Sequence, residues 1–124
     1  MIAVDTSSLS AFLAGEAGPD VDVVEDALRD TRMVLPPVVL TEVLSSRSLR
    51  AADAAVLAQI PLIPLHAGFW ERSGTLRASV LRKGHKSRLA DVLIAQSCID
   101  ESIALVTRDR DFRHYVSAGL RILP

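Results

Sequence analysis

Acidic side chains follow two of the apolar runs in this sequence, at the point where each run ends. Asp5 comes directly after the run Met1–Val4, and Asp109 and Asp111 follow the run Ile103–Thr107. Short runs that are apolar at consecutive positions are typical of strands buried on both faces, as in parallel sheets. Because sites in open α/β sheets form outside the carboxyl ends of the strands, we expect these acids to lie close together.

Two further acidic side chains lie on helices whose patterns predict burial. The segment Arg88–Ile99 is apolar nearly all the way round, and Asp91 shares a helical face with Ile94. Glu42 falls within the apolar arc of a helix predicted for Pro37–Ser46. An unpaired charge in apolar surroundings costs several kcal/mol, so both acids are candidates for a site. Each also has an ordinary alternative, because Asp91 would suit a helix N-terminus and Glu42 would reach water from the edge of its stripe.

Converging carboxylates repel one another and need a compensating positive charge. Oxygen ligands suit the hard cations Mg²⁺ and Mn²⁺. The chain has three His and one Cys, which disfavours a zinc site. A cation held by carboxylates commonly keeps water ligands and binds substrate phosphates. The acids therefore predict an Mg²⁺ or Mn²⁺ site that acts on a phosphate ester.

The elements that must position these acids form one α/β domain over residues 1–124. The length and a hydrophobic content of 49% are ordinary for a single compact domain. Because strands alternate with helices, the sheet is predicted to be mostly parallel. Strands are predicted at 1–4, 33–35, 103–107 and 119–123, with at best a short edge strand at 61–65. Helices are predicted at 9–13, 21–28, 37–46, 49–60, 66–83 and 88–99, with a short one at 108–113.

Charge and composition bear on partners and location. A net charge of −1 gives no global argument for nucleic acid, but the cluster Arg82–Arg88 lies beside Asp91, where it would contact phosphate or serve only as a solvated connector. One cysteine and no signal-peptide or membrane-spanning pattern predict a cytoplasmic protein without membrane association. Phe69 and Trp70 favour a core or a subunit interface over a base-stacking platform, which hints at a homodimer.

Four segments contain the acids described above: Val4–Ser7, Thr41–Val43, Leu89–Ala95 and Leu105–Phe112. In order and spacing they resemble the four motifs of PIN domains, most closely those of VapC toxins from toxin–antitoxin pairs. The resemblance covers essentially the whole chain and implies a three-layer α/β/α sandwich with a mostly parallel central sheet. It also implies metal-binding and catalytic roles for four acids, namely Asp5, Glu42, Asp91 and Asp109. Asp111 stays an alternative to Asp109, which we prefer because it is nearer the strand end.

The same resemblance implies a function. It predicts an Mg²⁺- or Mn²⁺-dependent endoribonuclease that hydrolyses RNA phosphodiester bonds. Ser7 and Thr107 are candidates to orient ligands or water. Basic side chains near the acids are expected to hold the RNA backbone, and these are Arg82, Lys83, Lys86, Arg108 and Arg110.

Control by a partner is a further implication of the resemblance. The expected partner is a cognate antitoxin with a DNA-binding domain and a disordered arm that folds along the toxin surface. An Arg or Lys of that arm is expected near the acidic site, because Arg pairs bidentately with carboxylates. The apolar residues of the arm are expected in a groove around Leu9, Phe12, Val43 and Leu44.

Two other functions stay open at this point. A non-catalytic PIN-like module would bind RNA or a protein, although the acids are present in all four motifs. A phosphatase of similar topology usually has an Asp-x-Asp or a pair of acids after its first strand, whereas Asp5-Thr6-Ser7 offers a single acid.

Overall fold

A four-stranded sheet lies at the centre of the computed structural model, which describes all residues from Met1 to Pro124. Its strands are β1 (Ile2–Val4), β2 (Met33–Val34), β3 (Ala104–Val106) and β4 (Ile122–Leu123). They are arranged in the order β2-β1-β3-β4, and every neighbouring pair is parallel. All three residues of β3 are buried although consecutive side chains point to opposite faces, so both faces of the sheet are covered. This confirms the predicted α/β/α sandwich.

Six α-helices and one 3₁₀ helix surround the sheet. Their bounds are α1 (Thr6–Leu13), α2 (Pro19–Arg29), α3 (Pro37–Leu44), α4 (Ala51–Leu57), α5 (Phe69–Arg82), α6 (Leu89–Glu101) and the 3₁₀ helix (Arg110–Ala118). Helix α2 packs on β2 and β3, α6 packs on β3, and α5 packs along α6. Helix α1 contacts both α2 and α3.

The chain passes from β1 into α1 without an intervening loop. The backbone N–H of Asp5 donates to the carbonyl oxygen of Val106 at 3.1 Å, which continues the pairing of β1 with β3. The side chain of Asp5 then accepts the backbone N–H of Ser8 and caps α1. Asp109 caps the 3₁₀ helix in the same way after β3. Because β1 and β3 are adjacent and parallel, these two caps lie at the same edge of the sheet.

Several predicted boundaries are wrong, for identifiable reasons. Helix α5 begins at Phe69 instead of residue 66, because Gly68 adopts a left-handed backbone conformation with φ of +84°. The expectation of at best a short edge strand at 61–65 is consistent with the structure, where the segment contributes a single bridge between Leu35 and Leu62, since Pro61 and Pro64 have no N–H to donate. The 3₁₀ helix runs to Ala118, beyond the predicted end at 113, and the last strand shrinks to two residues.

Helix α6 is less uniformly buried than its sequence predicts. Leu89 at its start is 63% exposed, so the first turn reaches the surface. Cys98 in its interior is fully buried, and that burial raises the pKa of the thiol to about 12. Burial therefore disfavours the thiolate form, which is the form that acts as a nucleophile. None of the helices combines the length and the apolar character needed to span a membrane.

Candidate active site

Asp5 is a buried carboxylate that receives hydrogen bonds on both oxygens. The hydroxyl of Ser7 donates to Oδ1 and to Oδ2, each at 2.8 Å. The backbone N–H of Ser8 donates to Oδ1 at 3.0 Å, and the hydroxyl of Thr107 donates to Oδ2 at 2.7 Å. Burial nevertheless raises the pKa of Asp5, and the negative charge of Asp109 raises it further. Asp5 is thus held rigidly, but its charge has no cationic partner.

Asp91 experiences the charges of the other predicted acids. It is half-buried in the first turn of α6, and its pKa is raised to about 6. Burial is the largest cause, followed by the charge of Asp109, with smaller contributions from Glu42 and Asp5. The positive charge of Arg88 opposes these effects without cancelling them. The three other predicted site acids are therefore close enough to Asp91 for their charges to affect its pKa.

Glu42 lies at the rim of this cluster and not inside it. The side chain is exposed, so the prediction that it points inward from the apolar arc is wrong, and the alternative of a carboxylate reaching water is correct. The hydroxyl of Thr6 donates to its Oε1 at 2.6 Å, which ties α3 to the start of α1. Helix α3 is only eight residues long, and its arc is not wide enough to enclose this position.

The two acids after β3 have different surroundings. The charge of Asp109 raises the pKa of both Asp5 and Asp91. The backbone N–H of Asp109 donates to the hydroxyl of Thr107 at 3.0 Å, and its Oδ1 accepts the N–H of Asp111 at 2.9 Å. The charge of Asp111 instead raises the pKa of Tyr115, farther along the 3₁₀ helix. These contacts favour Asp109 as the fourth acid of the site.

The chemistry of the donor set fits a hard divalent cation. The donors are carboxylate oxygens, and the raised pKa values of Asp5 and Asp91 mark negative charge that the protein's own groups leave uncompensated. In the structure, however, no three His, Cys, Asp or Glu side chains are placed so that together they could hold one metal ion. The metal-binding roles of Asp5, Glu42, Asp91 and Asp109 therefore stay a prediction.

A basic groove adjoins the acidic cluster. It is an open depression of about 410 Å³ between the start of the 3₁₀ helix and β4. Three arginines line it, Arg108, Arg110 and Arg113, together with Thr107, Asp109 and Ile122. Arg113 was not among the predicted RNA contacts, although its place three residues after Arg110 on the same helix was a usable signal.

The other predicted RNA contacts fall into two groups. Arg82 ends α5, and Lys83 and Lys86 are exposed in the connection to α6, so these three side chains are free to meet solvent or a ligand. Arg108 is different, because its guanidinium is engaged by buried Asp20 at 2.8 Å. Sequence reasoning missed Asp20, since nothing local links it to a residue 88 positions away.

The groove predicted for an antitoxin arm is only partly present. Leu9 is 0% exposed, so the prediction that it contacts an arm is wrong, whereas Val43 is 2% exposed but lines the pocket beside it. Leu44 is exposed and Phe12 is half-buried. A pocket of about 200 Å³ lies next to them, lined by Ser10, Leu13, Ala14, Val43, Ser46, Ser48, Leu49, Arg50 and Asp53.

Replacing Asp91 by Asn should leave the metal-free fold at least as stable as the wild type at neutral pH. The folded-state pKa of about 6 exceeds the ordinary 3.8, so the folded protein binds more protons than the unfolded chain between these values. Ionisation of Asp91 therefore lowers the free energy of unfolding of the wild type as pH rises through this window. The advantage of Asp91→Asn should grow across it by about 1 kcal/mol, since the half-exposed side chain is screened by solvent.

Urea denaturation in EDTA between about pH 4 and pH 7 measures this difference. The matched control is Asp22→Asn, which removes an exposed acid from the first turn of α2 and therefore removes no buried charge. A large loss of stability in Asp91→Asn at neutral pH would instead identify Asp91 as a structural helix cap.

The fold of the chain is similar to the folds of several solved structures. One is a chain of VapBC2 from Rickettsia felis, solved bound to a promoter DNA fragment, which matches with a TM-score of 0.76 at 20% identity. The match covers 99% of the present chain and 98% of the Rickettsia chain. VapBC from Salmonella typhimurium, also solved with DNA, has a TM-score of 0.72 at 20% identity, with coverage of 99% and 98%. VapBC-5 from Mycobacterium tuberculosis, a member of a toxin–antitoxin family, has a TM-score of 0.69 at 25% identity, with coverage of 98% and 96%.

No curated protein sequence matches the chain at a significant level. The model of the PIN domain family matches residues 2–117, which is nearly the whole chain. Those residues include all four acids of the site and the full parallel sheet apart from β4. The chain belongs to the PIN domain family.

Proposed function

We propose that this chain is a metal-dependent endoribonuclease that acts as the toxin of a toxin–antitoxin pair. The observation that carries the nuclease proposal is that the charges of Asp109, Glu42 and Asp5 all raise the pKa of Asp91. Such a concentration of uncompensated carboxylates marks functional sites more often than structural ones. Membership of the PIN family and the similarity of the fold to solved VapBC chains support the toxin proposal.

In this proposal the four acids hold Mg²⁺ or Mn²⁺. When bound, the ion neutralises charge on the phosphate and lowers the pKa of a water molecule. Asp5 contributes a carboxylate that its three hydrogen-bond donors fix in one orientation. Thr107 orients Asp5 through its hydroxyl and fixes the start of the Asp109 loop through the same oxygen. Ser7, which contacts both oxygens of Asp5, restricts its rotation.

The RNA backbone is proposed to lie along the basic side chains at the edge of the acidic cluster. Arg110 and Arg113 line the groove that also contains Asp109, so a phosphate there would lie beside the acids. Arg82, Lys83 and Lys86 supply exposed positive charge in the connection that leads to Asp91. These side chains offset the repulsion between an acidic site and a polyanion.

The purified chain should cleave mixed RNA in Mg²⁺ or Mn²⁺ and should be inactive in EDTA. Loss of a group that only orients a metal ligand typically costs about 10–100-fold, so loss of a ligand should cost more. We therefore expect Asp5→Asn, Asp91→Asn and Asp109→Asn each to lower the cleavage rate by more than about a hundredfold. Gel analysis of a labelled RNA measures the rates.

Asp111→Asn is the matched control, because it lies two residues from Asp109 on the same 3₁₀ helix. It should lower the rate much less than Asp109→Asn. The reverse ranking would assign the fourth acid to Asp111. Metal-independent binding without cleavage would favour a non-catalytic module, and release of phosphate from a monoester would favour a phosphatase.

We also propose an antitoxin as the partner that restrains this activity. An arm carrying an Arg or Lys is complementary to the acids, and its apolar side chains would occupy the pocket between Leu13 and Leu49 beside α1.

Co-expression with the protein encoded next to this chain should yield a stable complex, and expression of this chain alone should slow growth. Replacing Leu13 by Asp should weaken the complex without abolishing cleavage. If the pair does not co-purify and growth is unaffected, the toxin proposal fails even where cleavage is observed.

A homodimer is proposed through the face around Trp70. Phe69 is buried in the core, whereas Trp70 is 63% exposed and packs edge-on against it at 5.0 Å between ring centroids. Trp70 borders an apolar depression that includes Val38 and Leu93. An exposed Trp beside apolar residues commonly marks an interface. Trp70→Ser should convert a dimer to a monomer in light scattering, whereas Leu81→Ser, an exposed Leu on the same helix, should not.

A further inference from the structure

A second charged cluster, formed by buried Asp20 and exposed Arg108, lies beside the acidic site. Asp20 in the first turn of α2 is only 5% exposed. Arg108 donates hydrogen bonds to both carboxylate oxygens of Asp20, from Nε to Oδ2 at 2.8 Å and from Nη2 to Oδ1 at 3.1 Å. The hydroxyl of Ser8 also donates to Oδ2, at 2.8 Å. These bonds, led by that from Arg108, lower the pKa of Asp20 to about 2, so the ion pair persists at neutral pH.

This cluster is connected to both sides of the acidic site. Ser8 bonds to Asp20 through its hydroxyl and to Asp5 through its backbone N–H, at 2.8 Å and 3.0 Å. Arg108 immediately follows Thr107, whose hydroxyl donates to Asp5 and accepts the N–H of Asp109. Asp20 therefore holds the two segments that orient Asp5 and Asp109 without contacting either carboxylate.

The ion pair is closely packed on the side that faces Gly18. Gly18 lies two residues before Asp20 with φ of +154°, and a Cβ at that position would lie 2.6 Å from Asp20 Oδ1 and 3.1 Å from Arg108 Nη2. Glu16 contacts Arg108 as well, at 3.4 Å. The other side of Arg108 is exposed and lines the basic groove, so the guanidinium is held by its bonds to Asp20 and not by burial.

We propose that Asp20 and Arg108 are positioning residues for the acidic site, an inference that rests on the proposed function. Their ion pair fastens the loop after β3 to the start of α2, and so fixes Thr107 and Asp109 relative to Asp5. In this proposal the guanidinium of Arg108 is held by Asp20, although its side chain also lines the basic groove. Its role depends on the two-pronged geometry of the guanidinium, which Lys does not reproduce.

Kinetics of four variants separate positioning from RNA binding. Asp20→Asn, Arg108→Gln and Arg108→Lys should each lower kcat by about tenfold or more and leave KM for RNA within about twofold, since small misplacement of reacting groups is costly. The double variant Asp20→Asn/Arg108→Gln should be no worse than either single one. An Arg108 that holds RNA would behave otherwise: Arg108→Gln would raise KM, Arg108→Lys would restore it, and Asp20→Asn would leave kcat unchanged.

The matched control is Asp26→Asn, which removes the 2.8 Å ion pair to Arg29 on the exposed side of the same helix α2. It should leave kcat and KM unchanged. If Asp20→Asn, assayed at a temperature where it is folded, also leaves kcat unchanged while the wild type is active, the positioning proposal is overturned.

Amide hydrogen exchange gives a readout that does not depend on activity. In EDTA, the N–H groups of Ser8 and Asp109 should exchange faster in Asp20→Asn and Arg108→Lys than in the wild type, by about tenfold. The N–H of Leu105, which donates to Arg121 within the sheet, should not change. Unchanged exchange at Ser8 and Asp109, or an equal increase at Leu105, would overturn the proposal. A wild type that does not cleave RNA would defeat the proposed function, whereas exchange would still decide whether Asp20 and Arg108 position the site.

Discussion

The structure depends on a buried carboxylate at the junction of β1 and α1. Burying Asp5 would be costly if its oxygens were left without donors. The fold supplies them from three places: the first turn of α1, the neighbouring Ser7, and Thr107 at the end of β3. Thr107 reaches Asp5 because β1 and β3 pair in parallel with Val4 opposite Val106, so the next residues of both strands are also neighbours. One requirement, the solvation of Asp5, thus couples the sheet register to the local geometry of the site.

The acids of this site differ from two other acids of the molecule in their ion pairing and in the direction of their pKa shifts. Asp20 and Asp100 each bind an Arg, and in both the pKa lies below its ordinary value, with the hydrogen bond from Arg as the main cause. Asp5 and Asp91 bind no Arg or Lys, and in both the pKa is raised. Asp20 and Asp100 are therefore paired directly with Arg, whereas Asp5 forms no ion pair and the charge of Arg88 offsets that of Asp91 only in part. A divalent cation would supply the missing charge, which is why the contrast supports a metal site better than the number of acids alone.

Local patterns in the sequence were sufficient for the sheet and for most of the acids. Consecutive apolar residues identified β1 and β3, and the position of Asp5 and Asp109 after them follows from the geometry of parallel sheets. The exposure of Glu42 was not predictable from a helical wheel, since a wheel does not show where α3 ends or how it meets α1. The burial of Leu9 and Val43 has the same cause, because an apolar stripe predicts a buried face but not which part of it stays accessible. Contacts between distant segments, such as that of Asp20 with Arg108, leave no local pattern at all.

The two arginines that flank Asp109 differ in their ion pairing, although they are only two residues apart in the sequence. Arg108 points back to Asp20 and Glu16, so its charge is already paired. Arg110 lies one residue beyond Asp109, lines the open groove, and forms no ion pair within the chain. A polyanion approaching the acids would meet repulsion from Asp109 and attraction from Arg110 and Arg113, so the sign of the local potential changes over a few residues. Because Arg108 is paired with Asp20 and Glu16, its positive charge does not compensate that of Asp5 or Asp91, which would favour the cation of the proposed function at this site.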